Sequence, residues 1–169
     1  MELDVSKAFL MPAKAFPFEA KVTLAPQEVG GETIAFDEAA LQGSYSAYDD
    51  VIRLKGTLET VAHGACALCM RSAASPMSIA FEESFRKDAN EIEDEAFRYE
   101  GKSVPLDHMT LTLVMLNLPM RFECVEGCEG SDELKAWKKA NPVSSDDIGA
   151  PTQHPFEALQ SLLNEKPEP

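Results

Sequence analysis

The sequence predicts an α+β domain built mainly of antiparallel β-sheet, with one or two packed helices and a flexible C-terminal tail. Three observations lead there. From Lys14 to Leu24 and again from Val51 to Val61 apolar and polar side chains alternate with a period of two, the signature of half-buried strands. A single long apolar segment follows Pro105 and has the length of one helix. Beyond about residue 131 the chain turns polar and rich in Pro, Ser and Asp. With 169 residues and 44% hydrophobic content, one sizeable core can form. We therefore expect a mainly β domain over residues 1–130, carrying a paired-cysteine site, and a linker with short C-terminal helices over residues 131–169.

Taken in order, Lys14 to Leu24 sets Phe16, Phe18, Ala20, Val22 and Leu24 on one face, and Pro26 closes the run. Gly30-Gly31 marks a turn, and Ile34 with Phe36 a further strand. More strand follows from Tyr45 to Leu58, with Gly43 and Asp49-Asp50 read as turn punctuation. Within it, Arg53, Lys55, Thr57 and Glu59 alternate with Ile52, Leu54 and Leu58. Met77, Ile79 and Phe81 define one more strand face, with Phe85 beyond it. Residues 82–100 carry eight acidic against three basic side chains and read as a solvated loop. The segment 107–118 has two readings. Leu106, Met109, Leu113 and Leu116 suit a helix that Asp107 helps to start, while Leu111, Leu113 and Met115 alternate as in a strand. Pro119 ends either element.

Ser131 to Ala140 suits a short helix around Leu134 and Trp137, with Ser131 or Asp132 as N-cap. Residues 141–153 read as a linker. Pro155 then opens a last short helix on which Phe156, Leu159 and Leu163 form an apolar stripe. That stripe either folds back on the domain or docks in a partner's groove, which makes these three the candidate partner-binding residues.

The formal net charge of −14, from 29 acidic and 15 basic residues, opposes non-specific attraction to a phosphate backbone and favours basic partners. Lys135, Lys138 and Lys139 beside Trp137 form the densest basic cluster and read as the polar face of an amphipathic helix. Met1-Glu2-Leu3-Asp4 carries no basic start followed by an apolar run, and no apolar stretch is long enough to span a bilayer. The expected setting is therefore the cytoplasm, where paired cysteines read as metal ligands or redox groups before disulfides.

All four cysteines fall in two close pairs, Cys66-Ala67-Leu68-Cys69 and Cys124 with Cys128. Two tight turns brought together by the fold would give four thiolates in the tetrahedral arrangement that a structural zinc prefers. Gly64 and Gly127 are expected to supply backbone freedom to these turns, and Arg71 and Arg121 to offset the negative charge. A full set of four cysteine ligands leaves no open position for a water, so a catalytic metal is disfavoured. No HExxH, phosphate-cradling glycine loop, GxSxG elbow or His-x-Glu with Pro-Cys-x-x-Cys occurs, and His63, His108 and His154 are scattered. We expect no catalytic residues and no small-molecule substrate.

Several segments, in order, resemble the YceD family of bacterial large-subunit rRNA accumulation proteins. These are Gly56-Thr57-Leu58, Cys66-Ala67-Leu68-Cys69, Phe81-Glu82-Glu83-Ser84-Phe85, Gly101, Leu118-Pro119-Met120, Cys124 to Gly130, and the ending Pro155-Phe156-Glu157-Ala158-Leu159-Gln160-Ser161-Leu162. Leu68 stands where the family often has Arg, and the further cysteines that some members carry after the second pair are absent. The resemblance implies a non-enzymatic accessory role in large-subunit rRNA accumulation and ribosome assembly. With the acidic charge, it points to a basic ribosomal or assembly protein as direct partner and to rRNA only indirectly. Two other classes stay open, a zinc-stapled protein–protein adaptor unrelated to ribosomes and a thiol-redox protein.

Overall fold

The computed structural model describes residues 1–90, 95–124 and 128–141. Its contacts separate a unit from Met1 to Ser131 from a second beginning at Asp132. The first unit is mainly an antiparallel sheet. Among the described residues the strands are β1 (Glu2–Asp4), β2 (Phe16–Val22), β3 (Gln27–Val29), β4 (Glu32–Phe36), β5 (Ala39–Tyr48), β6 (Val51–Ala65), β7 (Ser72–Arg86), β8 (Phe97–Arg98) and β9 (Ser103–Pro105). Helices α1 (Ser6–Leu10) and α2 (Leu106–Leu116) belong to the same unit.

The centre is a meander in which β5 pairs with β2 on one side and β6 on the other, and β6 pairs with β7 along fourteen residues from Ile52↔Phe85 to Ala65↔Ser72. The period of two read from the sequence is what this register uses. Phe18, Ala20, Leu41, Tyr45, Leu54, Leu58, Ile79 and Phe81 are all buried and lie on one face, while Glu19, Gln42, Lys55, Glu59, Ser78 and Ala80 lie on the other. Asp49 and Asp50 close the β5–β6 hairpin with φ of 47° and 60°, a left-handed pair whose twist matches that of the strands. The Tyr99 hydroxyl donates to the Asp50 carbonyl at 2.8 Å and ties this tip to the segment after β8.

Gly43 is not turn punctuation. It lies inside β5 directly opposite Gly56 of β6, where the two backbones approach so closely that a Cβ on Gly56 would fall 2.1 Å from the Gln42 carbonyl oxygen. The strand β4 joins the same side of β6 beyond β5, with Phe36 opposite Ala62 and Ala40 opposite Glu59. One extra residue between those pairs makes a bulge at Asp37–Ala39. His63 sits in β6 with its Nε2 3.0 Å from Asp37 Oδ1.

The segment after Pro105 is a helix. α2 buries Leu106, Met109, Thr110, Leu113 and Val114 and packs against β1, β2 and β7, so the apolar sheet face is covered from above. The burial of each large side chain contributes on the order of 1.5–3 kcal/mol. Leu116, expected on that stripe, is 78% exposed. Position 116 falls at the rim of the arc set by 106, 109, 110, 113 and 114 and is the last residue of the helix. The charge-rich stretch is also not wholly a loop, since β7 carries Glu82 and Glu83 through to Arg86. Phe85 completes that strand's buried side, and its core contact overrides the local charge.

In the second unit, α3 (Asp132–Ala140) is an amphipathic helix with Asp132 and Glu133 in its first turn and Lys138 and Lys139 in its last, both favourable to its dipole. Among the described residues, no helix is long and apolar enough to cross a membrane. The expected linker and the helix carrying Phe156, Leu159 and Leu163 lie outside the described residues.

Candidate metal centre

The first cysteine pair forms the turn between the two longest strands. β6 ends at Ala65, β7 begins at Ser72, and the chain between them closes with Cys66 N–H donating to the Arg71 carbonyl at 2.7 Å and Met70 N–H to the Cys66 carbonyl at 2.9 Å. Met70 takes the left-handed conformation that this turn needs, at φ 59°. Gly64 has another role than backbone freedom. The ring of Phe122 lies directly on it, and a Cβ there would stand 2.8 Å from the ring carbon Cδ2. Glycine is required because the aromatic ring occupies the side-chain space.

Phe122 in turn positions the second pair. It is 6% exposed, forms a bridge with Cys66, and its carbonyl accepts from Ala67 N–H at 2.9 Å. Farther along, Ser131 N–H donates to the Leu68 carbonyl at 3.0 Å. Phe122 and Ser131 thus each bond to the first turn, and Cys124 and Cys128 lie between them in sequence. Sequence reasoning missed Phe122. Its signal is a symmetry of spacing: Gly64 stands two residues before the first cysteine pair and the aromatic two before the second.

The four sulfurs all lie within 4.8 Å of one another, Cys66 buried and the others half-buried. Cys69 and Cys124 are 3.5 Å apart, Cys124 and Cys128 3.6 Å, and Cys66 and Cys128 3.9 Å. Four thiolates around a zinc at a metal–sulfur distance of about 2.3 Å would stand about 3.8 Å apart. The donor set therefore fits a tetrahedral metal ion, and four sulfur ligands would leave no coordination position for water.

Arg71 is the cation of the site. Its Nε donates to Cys69 Sγ at 3.3 Å and its guanidinium reaches Cys124 Sγ at 3.8 Å. That hydrogen bond is the main reason the Cys69 thiol falls to about 6. Backbone donors at Leu68 and Cys124 lower Cys66 as well. Cys124 goes the other way, pushed up to about 12 chiefly by its hydrogen bond to Cys69. One thiolate thus forms readily, and its negative charge holds the proton on its neighbour. A cation placed among the sulfurs would remove that conflict, and its binding would release protons. Arg121, the other expected counter-charge, pairs instead with Glu123 at 2.7 Å.

The family model described as Large ribosomal RNA subunit accumulation protein YceD matches residues 54–163, a stretch that contains all four cysteines. No curated protein matches, and no solved structure does.

Proposed function

Because the chain belongs to the YceD family, whose description is large ribosomal RNA subunit accumulation, we propose that it acts as a non-enzymatic accessory in making or maintaining large-subunit rRNA during ribosome assembly. The observation that carries this reading is the match over well over half of the chain, from β6 through both cysteine turns. In this reading Cys66, Cys69, Cys124 and Cys128 hold one structural zinc. The ion supplies a closed tetrathiolate cross-link and no reactive water, and so clamps the β6–β7 turn to the segment after Phe122. The direct contact is a basic ribosomal or assembly protein in the cytoplasm, attracted by a chain with 29 acidic against 15 basic residues.

The test is the ratio of large- to small-subunit rRNA in cells depleted of the protein, with gradient profiles of their ribosomes. A selective fall in large-subunit rRNA, restored by the wild-type gene, is the expected result. An unchanged ratio removes the ribosomal role and leaves a zinc-stapled adaptor. A thiol-redox reading draws on one observation, the Cys69 thiol at about 6 within 3.5 Å of a second sulfur. Metal-free protein that reacts with iodoacetamide no faster than an ordinary thiol would dispose of it.

A further inference from the structure

Among the described residues, β7 is paired along the whole of one side and only at its end on the other. Its pairing with β6 runs without interruption from Ser72 to Phe85, whereas β8 reaches only Phe85 and Arg86 on the other edge. Two hydrogen bonds fix which backbone groups point where. The Arg71 carbonyl faces Cys66 on the β6 side, and the Arg86 carbonyl accepts from Tyr99 N–H on the outer side. Since direction alternates along an unbroken strand, the even-numbered residues face outward. The N–H and C=O groups of Ala74, Ser78, Ala80, Glu82 and Ser84, with the Pro76 carbonyl, therefore line the outer edge. None of them bonds to another described residue's backbone.

An edge this long is an invitation to pairing, and proteins usually blunt one with lysine, proline, a bulge or a covering segment. Here Pro76 guards the end near the cysteine turn. From Ser78 to Ser84 the register carries no bulge, and Ser78 and Ala80 present only small side chains. Seven residues of strand offer a ladder of about 20 Å. Its far end is acidic. Glu82 is exposed and shares only a surface pair with Lys55, Glu95 beyond it is exposed, and Asp88 and Glu100 form surface pairs with Arg86 and Arg98.

We infer that this edge of β7 is a docking site for an extended, basic segment of a partner protein, which adds to the sheet as a strand beside Ser78–Ser84. Backbone hydrogen bonds supply the pairing and the acidic end selects lysine and arginine. A second copy of this chain is disfavoured as occupant, because edge-to-edge pairing would bring together two molecules of formal charge −14. The inference rests on the basic-partner reading above and gives it an address.

The experiment uses the full chain and a ten-residue synthetic peptide alternating Lys with Val or Thr. Its companions are the same peptide with alternate backbone nitrogens methylated and a version with Glu for Lys. Fluorescence anisotropy reads affinity, and amide hydrogen exchange followed by NMR reads the site. The lysine peptide is expected to slow exchange at Ser78, Ala80, Glu82 and Ser84 at least tenfold, and methylation or the Glu version to weaken binding at least tenfold. Ala80→Pro removes one outward N–H and leaves the β6 ladder intact, so it should weaken binding to the same degree while Ile79 and Phe81 keep their protection. Should that variant not fold, the methylated peptide carries the test on the native protein. Methylated peptide binding as well as the parent, or edge amides already protected without peptide, would overturn the inference, the latter by showing that the chain's own segment or a second copy sits there. Lysine peptide bound with protection elsewhere overturns the edge and leaves the basic partner standing. No binding by any basic peptide defeats both, while the rRNA ratio judges the ribosomal role independently.

Discussion

Replacing Gly64 and Phe122 singly and together tests whether the aromatic ring on β6 is what brings the second cysteine pair to the first. Phe122 is 6% exposed, so Phe122→Ala removes a buried ring and should destabilise the protein by about 3–5 kcal/mol. Gly64→Ala puts a methyl 2.8 Å from the ring carbon Cδ2 and 2.9 Å from Cε2, which forces the ring or the strand to shift at about 1–3 kcal/mol. In the double variant the ring is gone, the clash vanishes, and alanine in place of a strand glycine recovers about 0.5–1 kcal/mol. The two changes should therefore be strongly non-additive, with the double variant more stable than the sum predicts by about 1.5–4 kcal/mol. Urea denaturation followed by far-ultraviolet circular dichroism, in metal-free protein, gives the four corners of the cycle. Additivity within about 0.5 kcal/mol would refute the packing argument, since it would mean the two groups act independently. Zinc affinity of Phe122→Ala should also fall, because Cys124 loses the anchor two residues before it.

Other outcomes follow from the same geometry. Cys66→Ser and Cys124→Ser should each abolish stoichiometric zinc, and a chelator should lower the midpoint of unfolding of the wild type but not of the variants; equal zinc content measured by atomic absorption would rule out the four-cysteine site. Gly56→Ala should cost about 3 kcal/mol or more, because its Cβ would lie 2.1 Å from the Gln42 carbonyl and 2.9 Å from the Gly43 Cα, neither of which is a flexible side chain; a melting temperature within a degree of the parent would contradict it. Burial raises the Glu83 carboxyl above its ordinary 4.5. Its contribution is thus fully present below that value and lost as pH climbs through the raised one, so Glu83→Gln should stabilise the protein at neutral pH and confer no advantage at pH 4; paired urea titrations at the two pH values would show it.

Where periodicity was long, the sequence declared the fold. Phe16 to Val22 and Ile52 to Val61 alternate cleanly, and the structure uses that alternation without a slip of register. The pieces that stayed hidden are short ones. β1, α1, β8 and β9 hold two to five residues each, too few for any period to emerge, and they exist through contacts with distant chain. Segment 107–118 was ambiguous because its side chains satisfy both periods; burial of Met109, Thr110, Leu113 and Val114 against the sheet decides for the helix. Glycine misled twice. At Gly43 and Gly64 the residue answers a close approach from elsewhere in the fold, Gly56 in one case and Phe122 in the other, which no local reading can see. For the cysteine site, spacing identified the ligands, while the means of assembly lay in a bridge between Cys66 and Phe122 that only tertiary structure reveals.

The two cysteine turns are also separated in time. Cys69 and Cys124 lie 55 residues apart, so a ribosome adding about 5–20 residues per second presents the first pair roughly 3–11 s before the second begins to appear. The β5–β6–β7 meander is built from neighbouring segments and can close during that interval, leaving Cys66 and Cys69 on a finished hairpin without their partners. A newly made chain therefore passes through a window in which its most acidic thiol is uncovered. With the proposed metal at these sulfurs, folding in the cell should depend on reducing conditions and on metal supply at the moment of synthesis, and starvation for either should trap hairpins cross-linked through the wrong sulfurs.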